Sequence, residues 1–594
     1  MKKGLKKGIL FAVAVSGVAV AWAYAARYQL AGWVFLPYDG IRPAEYRVCA
    51  EHGVAMTTSD GVALVADVYR PCGIEKTATI LMRIPFSRGL KNELGSGVLA
   101  SYWAARGYNV VVQGSRGRYK SGGSYYPMRH ERRDGLETLA WLAKQPWFDG
   151  RLGMWGASAY GYTQWAISDQ RNGGPIAFNI QIASSSFGEM FHQGGAFALE
   201  SALYWALYSR GPVDIQPTMD MVDRGVHGWP LIEADNRAAE DVPFFNDWVL
   251  HVAGDDYWRA IDGDNRAREI GAPVLLMAGW QDPFLPTMLR DFVTIRREAA
   301  PRVAENTRLI VGPWMHADTI TFPDGTTAGD YRPASVAPSV PWFDHHLLGR
   351  PLDLSLQAPV RIYVMGENKW RSEQEWPLAR AKTMPLYLAG PPPSLSPSAN
   401  SSNDGRLTFE RPAAAEPPRS YVYDPNNPVP TRGGAMLGLR AGIQLQNDVE
   451  ARPDVLLFTS EPLDADVEVT GPVSAVLFVS TTAPNTDFTV KLVDVHPDGK
   501  AYNATDGILR RSYSRELAAE TPTKIEIDLL PTSMLFRRGH RFRVEISSSN
   551  FPHYDRNPNT GGDIARETNP VLANQSIFIG ADTASMLLLP IIPR

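Results

Sequence analysis

Apolar runs and helical periodicities alternate along the first half of the chain. Continuous apolar stretches occur at residues 78–84, 109–112, 152–155, 179–183, 274–278 and 308–311. Runs with no polar alternation suit strands of a parallel sheet buried on both faces. Between them, residues 134–144 place Leu136, Leu139, Ala140 and Ala143 at i, i+3, i+4, i+7 spacing, which predicts a helix closed by Pro146. Residues 46–69 read as an opening hairpin. This alternation predicts an α/β domain with right-handed crossovers.

The pattern changes twice. Between Ala183 and Gly271 no buried strand is evident, and 194–208 and 246–256 read as helices, as in a helical cap inserted between two strands. After about Met384 strand-like stretches dominate, at 455–458, 467–470, 475–479, 488–493, 524–527 and 541–546. Pro, Gly, Asn and Asp punctuate them, which predicts an all-β sandwich or jelly roll. Residues 390–405 are rich in Pro, Ser and Asn and read as an exposed loop. The expected organisation is an α/β core from 45–183 and 271–383, a helical cap from 184–270 and a β-domain from 384–594.

A length of 594 residues is too great for one core and agrees with this division. A net charge of −4, from 59 basic and 63 acidic residues, suggests no nucleic-acid partner. The N-terminus stands apart. Lys2, Lys3, Lys6 and Lys7 precede an apolar run from Gly8 to about Ala26, and Ala21-Trp22-Ala23 and Ala23-Tyr24-Ala25 read as small-x-small cleavage sites. Residues 1–26 are therefore read as a secretory signal or, uncleaved, a membrane anchor, and the protein as periplasmic, extracellular or membrane-anchored. Export bears on the two cysteines, Cys49 and Cys72, because exported chains meet an oxidising compartment. With Asp60-Gly61 as a two-residue hairpin loop, they face each other across the ladder and are expected to form a disulfide, unless Gly53 inserts a bulge.

Three short segments carry the chemistry. Gly156-Ala157-Ser158-Ala159-Tyr160-Gly161 follows a predicted strand and opens a predicted helix over 159–169. Gly279-Trp280-Gln281-Asp282 and Gly312-Pro313-Trp314-Met315-His316 each end an apolar strand. A serine on a strand-to-helix turn, then an acid, then a histidine, is the triad order of an α/β-hydrolase sheet. Serine needs a base beside it to act as a nucleophile, histidine can take and return its proton, and a carboxylate fixes the histidine tautomer. Ser158, His316 and Asp282 are assigned those roles, and the Ala159 N–H is assigned an oxyanion hydrogen bond. Taken singly, Asp282 reads sooner as an ordinary loop acid and His316 as a capped core histidine than as catalytic groups; the joint order favours the triad.

With these residues the chain resembles the family of cocaine esterase, α-amino-acid ester hydrolases, glutaryl acylases and bacterial X-prolyl dipeptidyl peptidases. The resemblance runs from about Tyr46 to the C-terminus. It includes Gln113-Gly114-Ser115-Arg116-Gly117, residues 342–349, residues 423–430, Asp487-Phe488-Thr489 with residues 491–495, and residues 539–541 with 547–552. It implies an α/β-hydrolase core, a helical cap and a jelly roll, acting on a small-molecule ester or amide through a serine acyl-enzyme with no metal or organic cofactor. It also implies an oxyanion tyrosine in an Arg-x-Pro-Tyr segment, which here reads Arg83-Ile84-Pro85-Phe86. Phe86 holds that position without a hydroxyl, and Ser87 and Arg88 are the neighbouring candidates for a replacement donor. Relatives that bind a substrate ammonium do so with clustered carboxylates. Here the first position is Ser87, and the cap segment 188–192 keeps only Glu189, so a free α-amino group is not expected to be required. Glu189 and Phe191 are the candidate pocket residues. An acylase or X-prolyl peptidase acting on amides, and a catalytically weak ligand-binding homologue, are the alternative readings.

Overall fold

The computed structural model describes residues 41–87, 90–211, 214–327, 329–391, 404–438, 440–512 and 522–593. The expected leader at 1–26, the side chain of Arg88 and most of the 390–405 loop lie outside these residues.

Ten strands make the first sheet. They are β1 (Val48–Thr57), β2 (Ala63–Pro71), β3 (Thr77–Ile84), β4 (Asn109–Gly114), β5 (Phe148–Ala157), β6 (Ala177–Gln181), β7 (Val274–Gln281), β8 (Arg308–Met315), β9 (Val360–Val364) and β10 (Lys369–Glu373). Their spatial order is β1-β2-β4-β3-β5-β6-β7-β8-β9-β10. From β4 to β9 every neighbouring pair is parallel. Antiparallel hairpins close both edges. β3 and β7 are buried along their whole length, as strands covered on both faces are, the one charge in β3, Arg83, being paired with Glu131. Sequential strands β4 and β5 lie on opposite sides of β3, so the winding reverses there, and in open α/β sheets the crevice at such a reversal, at the strands' carboxyl ends, is where sites form. This is an α/β-hydrolase-like core. β9 and β10 extend it beyond the last strand read from the sequence.

The opening hairpin differs from the expected register. Its loop spans 58–62, with Thr57 opposite Ala63, and the register shifts again between Glu51 and Val54, where Gly53 has φ +76°. Cys49 therefore faces Arg70, not Cys72. The Cys72 N–H nevertheless bonds the Arg47 carbonyl at 2.8 Å, continuing the pairing past the ladder. That brings the two cysteines to a Cα separation of 5.3 Å, and they form a disulfide. The bridge closes a separation of 23 residues, and Cys49→Ser with Cys72→Ser is expected to cost about 3 kcal/mol in the chain-entropy picture. A lowered melting temperature, matched by reduction of the wild type, checks this.

Between β6 and β7 the chain is mainly helical, with Leu199–Ser209, Met219–Val226, Pro243–Leu250 and Asp256–Asp262 the longer segments. Two expectations are corrected here. The helix expected from Gly194 begins at Leu199, because Gly194 and Gly195 turn a short ribbon, His192–Gln193 against Ala196–Phe197. A Cβ on Gly194 would lie 1.8 Å from the Ile508 carbonyl oxygen, so glycine is needed where this segment meets the C-terminal region. The helix expected over 246–256 is two helices, broken at 251–255, where Gly254 has φ +82° and Asp255 caps the second by accepting the Trp258 N–H at 3.1 Å.

The C-terminal region is all-β, a mixed sheet of eleven strands. Its longest pairing joins Val467–Thr481 to Thr523–Phe536. The sequence suggested two strands at 467–470 and 475–479. They are one strand with a register shift between Gly471 and Val473, where Pro472 has no N–H to give the ladder. Among the described residues no helix is long and apolar enough to cross a membrane.

Candidate active site

Ser158 sits on the turn between β5 and the helix Ala159–Trp165, with φ +55° and ψ −130°. A non-glycine residue held there stores about 1–3 kcal/mol of strain. Small neighbours make the turn feasible. A Cβ on Gly156 would lie 2.3 Å from the Tyr160 carbonyl oxygen, and one on Gly161 would lie 2.8 Å from the Ala183 Cβ. The Ser158 N–H bonds the Gln181 carbonyl of β6 at 2.9 Å, and its carbonyl accepts the Tyr162 N–H at 2.9 Å. The side chain is thereby raised above the sheet at the carboxyl end of β5.

Asp282 directly follows β7, and His316 directly follows β8. The parallel register of β7 and β8 sets those two ends side by side. His316 Nδ1 lies 2.8 Å from Asp282 Oδ2, and His316 Nε2 lies 2.8 Å from Ser158 Oγ. Asp282 is fully buried, and its other oxygen accepts the Phe284 N–H at 2.7 Å, so the carboxylate is held from both sides. With a buried acid on one ring nitrogen and the serine on the other, the His316 imidazole can take the serine proton and hold it as an imidazolium.

Asp282 is buried behind the imidazole, and Ser158 and His316 open onto a cavity of about 340 Å³. Its walls include Phe86, Tyr160, Phe187, Trp205, Phe284 and Tyr331. Most walls come from positions to which no sequence motif pointed. Tyr204, Trp205 and Tyr208 project from the helix Leu199–Ser209. Met436, Leu437 and Gly438 come from the C-terminal region. Their loop is fixed by the Leu437 N–H to Ser201 Oγ at 3.0 Å and by Arg440 to Glu200 at 2.9 Å. Asp318, two residues beyond His316, adds a carboxylate to the wall.

Phe86 lines the cavity, as the sequence placed it. Its segment is anchored by the buried Arg83, which contacts Glu131 Oε2 at 2.9 Å and donates to the Glu131 carbonyl at 2.8 Å. Ser87 is corrected as a replacement donor. Its N–H bonds Asp214 Oδ2 at 2.8 Å, its Oγ accepts the Asp214 N–H at 2.7 Å, and it does not line the cavity.

Glu189 and Phe191 are also corrected. Glu189 pairs with Arg290 in a separate cavity of about 370 Å³. Phe191 is fully buried and stacks on Trp248 at 4.8 Å, which in turn stacks on Trp205 at 5.2 Å. Phe191 therefore supports a wall residue from behind. Phe191→Ala is expected to cost about 3–5 kcal/mol of stability, read as a lower denaturation midpoint. Two buried carboxylates position the segment leading to it. Asp262 accepts the Phe187 and Gly188 N–H groups at 2.9 and 3.0 Å, and Asp291 accepts the Ser185 N–H at 2.8 Å. Burial pushes Asp262 up to about 7 and Asp291 up to about 6.

Among the described residues, Asp494, His496 and His540 form a cluster that could hold a metal ion, with His540 Nδ1 2.9 Å from Asp494 Oδ1. None of the three lines the Ser158 cavity.

Comparison with known proteins places this geometry. Residues 60–318 match the X-Pro dipeptidyl-peptidase (S15 family) model, and residues 355–587 match the X-Pro dipeptidyl-peptidase C-terminal non-catalytic domain. The chain is 36% identical to the cocaine esterase of Rhodococcus sp. (strain MB1 Bresler) over 91% of its own length and 98% of that protein. Among solved structures it is similar to an aminopeptidase from the marine sediment archaeon Thaumarchaeota archaeon, with a TM-score of 0.75 at 24% identity, covering 94% of this chain and 98% of that one. It is equally similar in fold to an α-amino acid ester hydrolase, with a TM-score of 0.75 at 22% identity, covering 94% and 99%.

Proposed function

Because this chain belongs to the S15 family of serine hydrolases that includes cocaine esterase, we propose that it is an exported enzyme cleaving an ester or amide through a Ser158 acyl-enzyme. The observation that carries the reading is the unbroken chain from Ser158 through His316 to Asp282, with both links at 2.8 Å, at the floor of an aromatic cavity.

In this mechanism Ser158 Oγ bonds to the substrate carbonyl carbon as its proton passes to His316 Nε2. The carbonyl π pair moves onto oxygen, where the Ala159 N–H, at the start of a helix, meets it. The leaving group departs with the proton from His316. Water, deprotonated by His316, then attacks the acyl carbon and releases the acid and Ser158. Asp282 holds the Nδ1–H tautomer throughout and stabilises the imidazolium.

An ester of apolar, aromatic-sized groups suits the cavity walls. The cap acid Glu189 is paired with Arg290 outside that cavity, whose wall, among the described residues, carries the single carboxylate of Asp318 and no acidic cluster, which supports a substrate without an obligatory α-amino group. Export is supported by the lysines ahead of the apolar run and by the Cys49–Cys72 bridge. A fluorophosphonate probe, with a panel of acyl esters and amides carrying or lacking a free α-amine, tests the reading. Labelling at Ser158 and faster turnover of non-amino esters are expected. A wild-type protein whose Ser158 stays unlabelled overturns it.

A further inference from the structure

An acyl-transfer oxyanion is typically met by two donors, one on the residue after the nucleophile and one from the loop after the third strand. Here the first is the Ala159 N–H. In the loop after β3, Phe86 faces the cavity without a side-chain donor, and the Ser87 N–H is engaged by Asp214. We propose that the hydroxyl of Tyr160 supplies the second hydrogen bond. This inference rests on the acyl-enzyme reading of Ser158 above and deepens it.

Four observations converge on Tyr160. It belongs to the nucleophile's own turn, two residues after Ser158, and lines the same cavity. Its ring meets the ring of Phe86 edge-on, with centroids 5.5 Å apart, so a tyrosine packs directly against the ring that lacks a hydroxyl. The ring is seated by Gly156, where a Cβ would lie 2.8 Å from Tyr160 Cδ2, and by Trp155 at 5.7 Å. Among the described residues its hydroxyl has no hydrogen-bond partner. The other tyrosines of the cavity are placed differently. Tyr331 donates to Gln181 at 3.1 Å, Tyr204 accepts from Gln216, and Tyr208 sits on the helix Leu199–Ser209. Burial raises the Tyr160 phenol above its ordinary value, so it keeps its proton and can donate.

The step is a hydrogen bond, not a proton transfer. As the Ser158 Oγ–carbon bond forms and the carbonyl π pair localises on oxygen, Tyr160 O–H points to that oxygen and retains its proton. The bond strengthens as the charge develops, so its loss falls on kcat more than on KM.

Tyr160→Phe removes only the hydroxyl. It is expected to lower kcat by about 10²-fold with KM changed less than about threefold, and to weaken binding of a boronic acid, a tetrahedral mimic, in parallel. Phe86→Tyr in the Tyr160→Phe background is expected to restore at least about tenfold, because the new hydroxyl enters from the adjoining ring, whereas the same change in the wild type gives little. A structural role for Tyr160 gives no such rescue. The proposal is overturned if Tyr160→Phe keeps kcat within about threefold of wild type, or if Tyr208→Phe produces the loss instead. Failure of the underlying reading looks different: the wild type itself then remains unlabelled at Ser158 by fluorophosphonate.

Discussion

Ser158→Ala is expected to lose roughly 10⁶ in kcat and all fluorophosphonate labelling, with the fold intact. The loss follows from the geometry. Ser158 Oγ, the proposed nucleophile, lies 2.8 Å from His316 Nε2, and an alanine methyl leaves the imidazole with no proton to take. The fold survives because the Ser158 backbone, not its hydroxyl, ties the turn to β6 through the Gln181 carbonyl. Alanine keeps that bond and bears the same positive φ at similar cost. His316→Ala should be nearly as damaging. The double variant should be little worse than either single one, because groups acting as a unit do not add. Pre-steady-state kinetics with a chromogenic ester measures this, and turnover above about 1% of wild type in Ser158→Ala would refute the assignment.

The second large effect belongs to Asp282→Asn, with an expected loss on the order of 10⁴ in kcat. Asp282 is an acceptor on both sides, from His316 Nδ1 through one oxygen and from the Phe284 N–H through the other. The Phe284 bond forces the asparagine carbonyl oxygen toward that N–H, so its NH₂ group faces Nδ1. His316 then adopts the Nε2–H tautomer, which presents a proton to Ser158 where a lone pair is required. Steady-state kcat against the wild type measures the effect, with the melting temperature checking that the fully buried site is still packed. A loss below about tenfold would show that another acid orients His316.

What could be read from the chain alone was local. Ser158, Asp282 and His316 each stand in a segment whose own chemistry places them at a strand end: an apolar run, then glycine, then the polar residue. Apolar runs located β3 to β8 for the same reason, since a strand buried on both faces has no polar alternation. Phe86 could be located because its Arg-x-Pro context is contiguous. The hairpin's register could not be settled, because the five-residue loop and the Gly53 bulge each move it by one position, and only the completed ladder reveals the sum.

Glu189 and Phe191 show the limit from the other side. Within the helix Phe187–Phe191, one turn sends Phe187 to the cavity, Phe191 into the aromatic stack behind it and Glu189 to Arg290. Which of them meets substrate depends on the elements packed against each face. The cavity walls from the helix Leu199–Ser209 and from residues 436–438 were invisible for the same reason: they lie far apart in the chain and meet only because Leu437 and Arg440 dock on Ser201 and Glu200. The sequence by itself thus determined the α/β core, the all-β C-terminal region and the strand-end positions of Ser158, Asp282 and His316, which the structure joins in one hydrogen-bond chain. Only the tertiary structure decided the hydrogen-bond distances, the hairpin register and most walls of the cavity, because strand-end chemistry is written in contiguous residues whereas a cavity is what remains between distant segments once their apolar faces have been buried together.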